Sequence, residues 1–170
     1  MTKLNRRIAI IAAAASVCAG STGALALTAT QNFTVTVKVD QTCTITTGSG
    51  GSTLDFGTYN PTNTSTASAN VLSVTCTNGG TTAQVTLNGG GNPTTGATPE
   101  RQMADTSGTH LLIYKLFYDA AMTHEWTATS GPTLIEDGTA HDLTVYGSIA
   151  SGQSVFVTTY SDQVTATVTF

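Results

Sequence analysis

From residue 27 onward no stretch of the chain carries sustained helical periodicity; short runs in which apolar and polar residues alternate follow one another instead. Alternation of period two suits a strand with one buried face, because successive side chains point to opposite sides. The candidate strands are Phe33–Val39, Thr42–Thr46, Leu54–Phe56, Val71–Thr77, Ala83–Asn88, Leu111–Tyr118, Asp142–Tyr146, Ser154–Thr159 and Val164–Phe170, not all of them strictly alternating. Between them lie Gly48-Ser49-Gly50-Gly51, Asn78-Gly79-Gly80, Asn88 to Pro93, Asp137-Gly138 and Ser151-Gly152, residues that turn the chain through backbone freedom and local side-chain hydrogen bonds. Ala120–Thr127 has room for a helical turn at best. Many short strands with punctuating turns imply an all-β antiparallel sandwich or barrel, with the abundant threonine on outward strand positions.

The first residues have a different character. Lys3, Arg6 and Arg7 precede an apolar stretch, Ile8 to Val17, too short to span a bilayer, and Ala24-Leu25-Ala26 fits a small-x-small cleavage pattern. Residues 1–26 are therefore expected to be an export signal. Cys18 follows Val17, where a lipobox wants a small residue. No later stretch resembles a membrane-spanning helix, so no membrane insertion is expected of the mature chain. Residues 27–170 suffice for one domain with a sizeable core. They keep only Lys38, Arg101 and Lys115 against ten acidic residues, too few cations to neutralise a nucleic-acid backbone. They also keep two cysteines, Cys43 and Cys76; an even number in an exported chain points to one disulfide, two buried thiols being the alternative.

The two ends of the mature chain are complementary. Phe33, Val35, Val37 and Val39 form an apolar stripe on an N-terminal arm, interleaved with Thr34, Thr36 and Lys38. At the other end Val164, Ala166, Val168 and Phe170 alternate with threonines, and that strand's far side is expected to be left uncovered. Between Gln163 and Phe170 there is no charge or proline of the kind that normally blunts a sheet edge. The arm can fold back as the first strand of its own sandwich, or add to the edge of a neighbour. Leu111 to Tyr118, apolar on nearly both faces, suits a central strand or one meeting another subunit.

Residues suited to catalysis or metal binding are sparse. His110, His124 and His141 do not fall at ligand spacing with acid or cysteine clusters, and His141-Asp142 is expected to be a surface pair. Asp119 and Glu125 have nothing in the sequence that places them across a cleft as paired carboxylates. Gly89-Gly90-Gly91 lacks the lysine and the helix of a phosphate loop. Neither an enzymatic role, nor a cofactor, nor a metal site is expected.

The order and spacing of several segments resemble a known family. They are Cys43, Leu54-Asp55-Phe56-Gly57-Thr58-Tyr59, Leu72 to Thr77, Leu112 to Asp119, Trp126, Val145-Tyr146-Gly147-Ser148-Ile149, Gly152-Gln153 and Tyr160 to Thr165. The chain resembles the spore coat U domain proteins, which include pilin subunits of archaic, Csu-type chaperone–usher pili. The resemblance implies an incomplete immunoglobulin-like antiparallel sandwich completed by donor-strand exchange. It implies a donor arm at residues 27–40 with Phe33, Val35, Val37 and Val39 filling pockets, and a pilin domain at 41–170. It further implies a Cys43–Cys76 disulfide and a groove edge at Val164, Ala166, Val168 and Phe170 available to a chaperone.

The partners so implied are identical or related pilin subunits forming a homopolymer, a periplasmic chaperone and an outer-membrane usher. The expected function is a structural subunit of a cell-surface pilus, exported through the periplasm and serving attachment and biofilm formation. Two alternatives stand beside it: a secreted, self-contained sandwich binding a cell-surface glycan through loops near Trp126, and a coat protein of dormant cells. The Gly-, Pro- and Thr-rich loop 88–98 departs from the family pattern and has no role assigned by sequence.

Overall fold

Each strand with a long alternating run finds a hydrogen-bonded neighbour, and the runs without one stay irregular. The computed structural model describes residues 27–96 and 100–170; the expected export signal, 1–26, and part of the loop 88–98 lie outside the described residues. The strands are β1 (Cys43–Thr47), β2 (Ser65–Cys76), β3 (Thr82–Leu87), β4 (Arg101–Ala104), β5 (Leu111–Phe117), β6 (Thr133–Ile135), β7 (Ala140–Ile149) and β8 (Ala166–Thr169). They form a five-stranded sheet, β1-β2-β7-β5-β4, and a three-stranded sheet, β6-β3-β8, antiparallel throughout. The described residues contain no helix, and the fold is an all-β antiparallel sandwich.

Alternation sets which face of each strand is inside. Along β5 the even positions Leu112, Tyr114 and Leu116 are buried, and along β3 the odd positions Ala83, Val85 and Leu87 are. Val74, Trp126 and Ile149 complete the centre of the core. The Trp126 indole N–H donates to the Val85 carbonyl at 2.8 Å, so the ring's polar atom is satisfied inside. The ring is wholly inaccessible, so the glycan alternative is left with the loops near Trp126 and not the indole itself.

Two glycine-dependent approaches shape the first sheet. Between Ala69 and Leu72 the β2–β7 register shifts, two residues of β2 facing one of β7, which is a β-bulge. Gly48 and Gly50 then dock on the bulge, donating to the carbonyls of Val71 and Asn70. A Cβ at Gly48 would lie 2.3 Å from the Asn70 carbonyl oxygen, which is why glycine stands there. On β7, a Cβ at Gly147 would lie 2.4 Å from Phe56 and 2.9 Å from Leu54, so the missing side chain seats those two.

Several expectations are corrected. Leu54–Phe56 and Ser154–Thr159 are not strands: neither stretch forms a backbone ladder with a neighbour. Phe33–Val39 likewise has no ladder. β2 begins at Ser65, six residues before the expected start, and β7 runs from Ala140 to Ile149. β4 and β6, of 4 and 3 residues, are too short for alternation to reveal.

The chain divides into a unit ending at Val37 and a body, Lys38–Phe170. Residues 27–37 have no assigned secondary structure, and their side chains are exposed. Lys38 and Asp40, just inside the body, form a solvent-exposed ion pair at 2.6 Å.

Candidate functional site

The two sheets each end in an unpaired strand on the same side of the body. Among the described residues β1 pairs only with β2, and β8 pairs only with β3. β1 and β8 approach each other without forming a ladder. Next to this gap, between the inner face of the larger sheet and the irregular stretches 52–59 and 153–164, lies a cleft of about 1230 Å³.

Its floor is apolar: Leu72 of β2, Met103 of β4, Leu112, Tyr114 and Leu116 of β5, and Ile149 of β7. Ile45, Thr46 and Thr47 of β1 form one rim, with Leu54, Phe56 and Tyr59 beside them. Val155, Tyr160 and Val164 form the other. Many of these side chains, among them Ile45, Leu54, Phe56 and Val164, pack on the core yet stay only partly buried. A sandwich core normally closes over such residues; here the covering layer is thin along one side.

The wall 153–164 has no strand of its own and is held by side chains. The Gln153 amide bonds both backbone groups of Ile113, at 2.8 and 2.9 Å. The Tyr59 hydroxyl donates to the Ala150 carbonyl at 2.9 Å and accepts the Gln153 backbone N–H at 3.1 Å. Further on, Ala104 and Ser161 exchange a pair of backbone bonds at 2.9 and 3.0 Å. Asp162 then accepts the Tyr114 hydroxyl and the Gly91 amide. Burial together with the Asp162 carboxylate drives the Tyr114 phenol far above its ordinary range, so it is a neutral donor.

The loop without a sequence-assigned role is tied into this wall. Asn88 exchanges backbone and side-chain bonds with Thr165. The buried Arg101 guanidinium donates to the carbonyls of Leu87 and Asn88 at 3.1 and 2.9 Å. Its pKa is lowered by burial, opposed by the charges around it. The first residues of the loop thus hold the segment leading into β8.

The sequence-predicted residues fall as follows. Cys43 and Cys76 are bonded to each other and form the first rung of the β1–β2 ladder. Val164, Ala166 and Val168 are half-buried on the segment carrying the open edge, and Phe170 is 52% exposed. Phe33, Val35, Val37 and Val39 are 84, 80, 88 and 75% exposed. The cleft-lining roles of Leu54, Phe56, Tyr59, Gln153 and Asp162 carry no clear sequence signal; the alternation of Leu54 and Phe56 is the available one, and it reads as a strand.

The histidines have partners four or five residues earlier. His110 lies 2.8 Å from Asp105, His124 3.5 Å from Asp119 and His141 3.0 Å from Asp137. His141 pairs across its turn with Asp137, and its neighbour Asp142 is exposed. Among the described residues no three His, Cys, Asp or Glu side chains converge as a metal site would require.

A family model described as the Spore Coat Protein U domain matches residues 29–167. The chain is 39% identical over 181 aligned residues to "Protein U" of Myxococcus xanthus, with all of both chains covered. Its fold is similar to that of a chain in the CsuC–CsuE chaperone–tip adhesion subunit pre-assembly complex from archaic chaperone–usher Csu pili of Acinetobacter baumannii. That likeness has a TM-score of 0.54 at 24% identity over 78% of this chain, which spans 40% of the length of the other.

Proposed function

Since the chain belongs to the Spore Coat Protein U domain family, we propose that it is a structural subunit of a surface fibre polymerised by strand exchange. Each subunit's residues 27–40 add to the cleft of the next. The observation that carries this reading is an apolar cleft rimmed by the unpaired edge strand β1 and by Val164, two residues ahead of the other edge strand β8, in a chain whose N-terminal arm exposes four alternating apolar side chains. Burying those four contributes about 6–12 kcal/mol before ordering costs, at about 1.5–3 kcal/mol each. Main-chain bonds along the open edges of β1 and β8 add register and affinity.

A vacant apolar cleft is an aggregation hazard during export, so a periplasmic chaperone covers it first and an outer-membrane usher exchanges that cover for the next subunit. The fibre then lies at the cell surface as a chaperone–usher pilus, where it serves attachment and biofilm formation. No catalytic step is assigned to any residue. The described body needs no metal or cofactor for this role.

The end-to-end match to Protein U and the family's description favour one further setting for the same polymer, a coat laid on dormant cells.

The test removes residues 27–40 from the mature chain. The shortened protein is expected to stay monomeric and to bind a peptide of sequence 27–40, gaining heat resistance; the intact chain is expected to form ladders that survive denaturant until heated. A shortened protein that neither binds the peptide nor differs in assembly from the intact chain overturns the reading.

A further inference from the structure

We propose that the Cys43–Cys76 disulfide is a mechanical staple, passing tension from the arm directly into β2 so that pulling on a subunit does not open its own cleft. The proposal rests on the strand-exchange reading for the source of the tension; the staple itself is a property of the single chain.

Tension on residues 27–40 enters the body just before β1. β1 is the weakest place for it to enter: five residues, at the edge of its sheet, with β2 as its single strand partner. Only Cys43 and Ile45 of β1 are partly buried. The ladder runs Cys43 opposite Cys76 to Thr47 opposite Leu72, so the rung nearest the arm is the disulfide itself. Outside it, Thr42 and Thr77 exchange bonds at 2.9 and 3.0 Å, and the Gln41 side chain donates to the buried Glu136 at 2.8 Å.

A covalent link at the first rung lets force bypass all the remaining rungs. It delivers that force to β2, which has 12 residues and is paired on both sides, with β1 and β7. The same five residues of β1 supply a rim of the cleft through Ile45, Thr46 and Thr47. Without the staple, tension on the arm strips away the rim that holds the incoming strand. With it, the two ends of a subunit are mechanically separated.

The mature chain is pulled in a force-spectroscopy experiment between Thr28 and Ala140, the exposed first residue of β7, through non-natural side chains that leave the cysteines untouched. With the native disulfide, no extension step is expected before the body unfolds. After reduction of the folded chain, an early step of roughly 15–20 Å is expected as five residues leave β2, at about 3.3–3.6 Å each. A second variant keeps a crosslink between the same strands but moves it to the far rung: Cys43→Ser, Cys76→Ser, Thr47→Cys and Leu72→Cys. A general gain in stability is preserved there, yet the early step is expected to return. An early step in the native chain, or none in the relocated variant, overturns the staple. Fibres whose subunits yield equally with and without the native bond overturn the staple alone. Chains that behave as expected but never polymerise overturn strand exchange alone.

Discussion

The side chain of Gln153 stands in for a strand neighbour of Ile113: its Nε2 donates to the Ile113 carbonyl at 2.8 Å and its Oε1 accepts the Ile113 amide at 2.9 Å. β7 pairs with β5 from Lys115 to Phe117 and ends at Ile149, so Ile113 has no ladder on that side. One side-chain amide has the same donor and acceptor as a peptide group, and it closes the ladder while the main chain turns away into the cleft wall.

Gln153→Ala removes both bonds and leaves a half-buried amide and carbonyl unpaired. The expected loss is about 1–3 kcal/mol in urea unfolding, the cost of orphaning such groups. Hydrogen exchange at the Ile113 amide should accelerate well beyond that of Leu116, whose ladder is intact. Gln153→Glu keeps an acceptor for the amide but sets a carboxylate against the carbonyl, and should rescue little. Unchanged stability in both variants would show that the wall is held elsewhere.

Gly147→Ala should destabilise by about 1–3 kcal/mol, as overpacking does, because its Cβ meets Phe56 at 2.4 Å and Leu54 at 2.9 Å. Adding Phe56→Leu vacates part of that space, so the double variant should be more stable than the sum of the two single changes predicts. A double-mutant cycle that is additive would mean the two residues do not meet.

Alternation made most of the fold legible, and its failures have separate physical causes. At Leu111–Tyr118 and Ala83–Asn88 the pattern and the ladder coincide within a residue, because those strands have neighbours on both sides. Leu54 and Phe56 alternate because both are half-buried in the cleft wall, yet they form no ladder; in Ser154–Thr159 only Val155 is half-buried, while Phe156 and Val157 are exposed. Period two reports one-sided burial; it does not report pairing. β2 was read short because Ser65-Thr66-Ala67-Ser68-Ala69 alternates small residues, which carry almost no hydrophobic signal. The cleft wall rests on Gln153, Asp162 and Asn88, polar residues whose partners lie 40 to 77 residues away, and no local pattern encodes such contacts.

Acid should weaken the body only at low pH. Asp137 is held down to about 2, chiefly by the Thr139 hydroxyl and amide and then by His141. Asp119 is also near 2: desolvation pulls it up, but the His124 amide and the Thr123 hydroxyl and amide outweigh that. Asp105, bonded by the His110 ring and Ser107, lies lower still. A carboxylate whose folded pKa is depressed stabilises the fold above its unfolded pKa, near 3.8, and loses that contribution as pH falls through the folded value. Urea midpoints should therefore hold down to about pH 4 and drop toward pH 2. Asp137→Asn should flatten part of that drop; a midpoint that falls between pH 6 and 5 would contradict the assignment.

The sharpest test of the arm uses its own period. Val37 and Thr36 are adjacent, exposed and similar in size, yet a strand lying in the cleft turns them to opposite faces. Val37→Asp would bury an unpaired carboxylate against Leu72 or its neighbours, which costs several kcal/mol and should abolish polymerisation. Thr36→Asp points the same charge to solvent and should leave ladders intact. Export and monomer stability should be unchanged in both, because residues 27–37 have no ladder in the single chain. The comparison is read from denaturant-resistant ladders of the two purified variants. Equal loss in both would mean the arm acts through its net charge, and equal assembly would mean that it does not enter the cleft on the Phe33, Val35, Val37 and Val39 face.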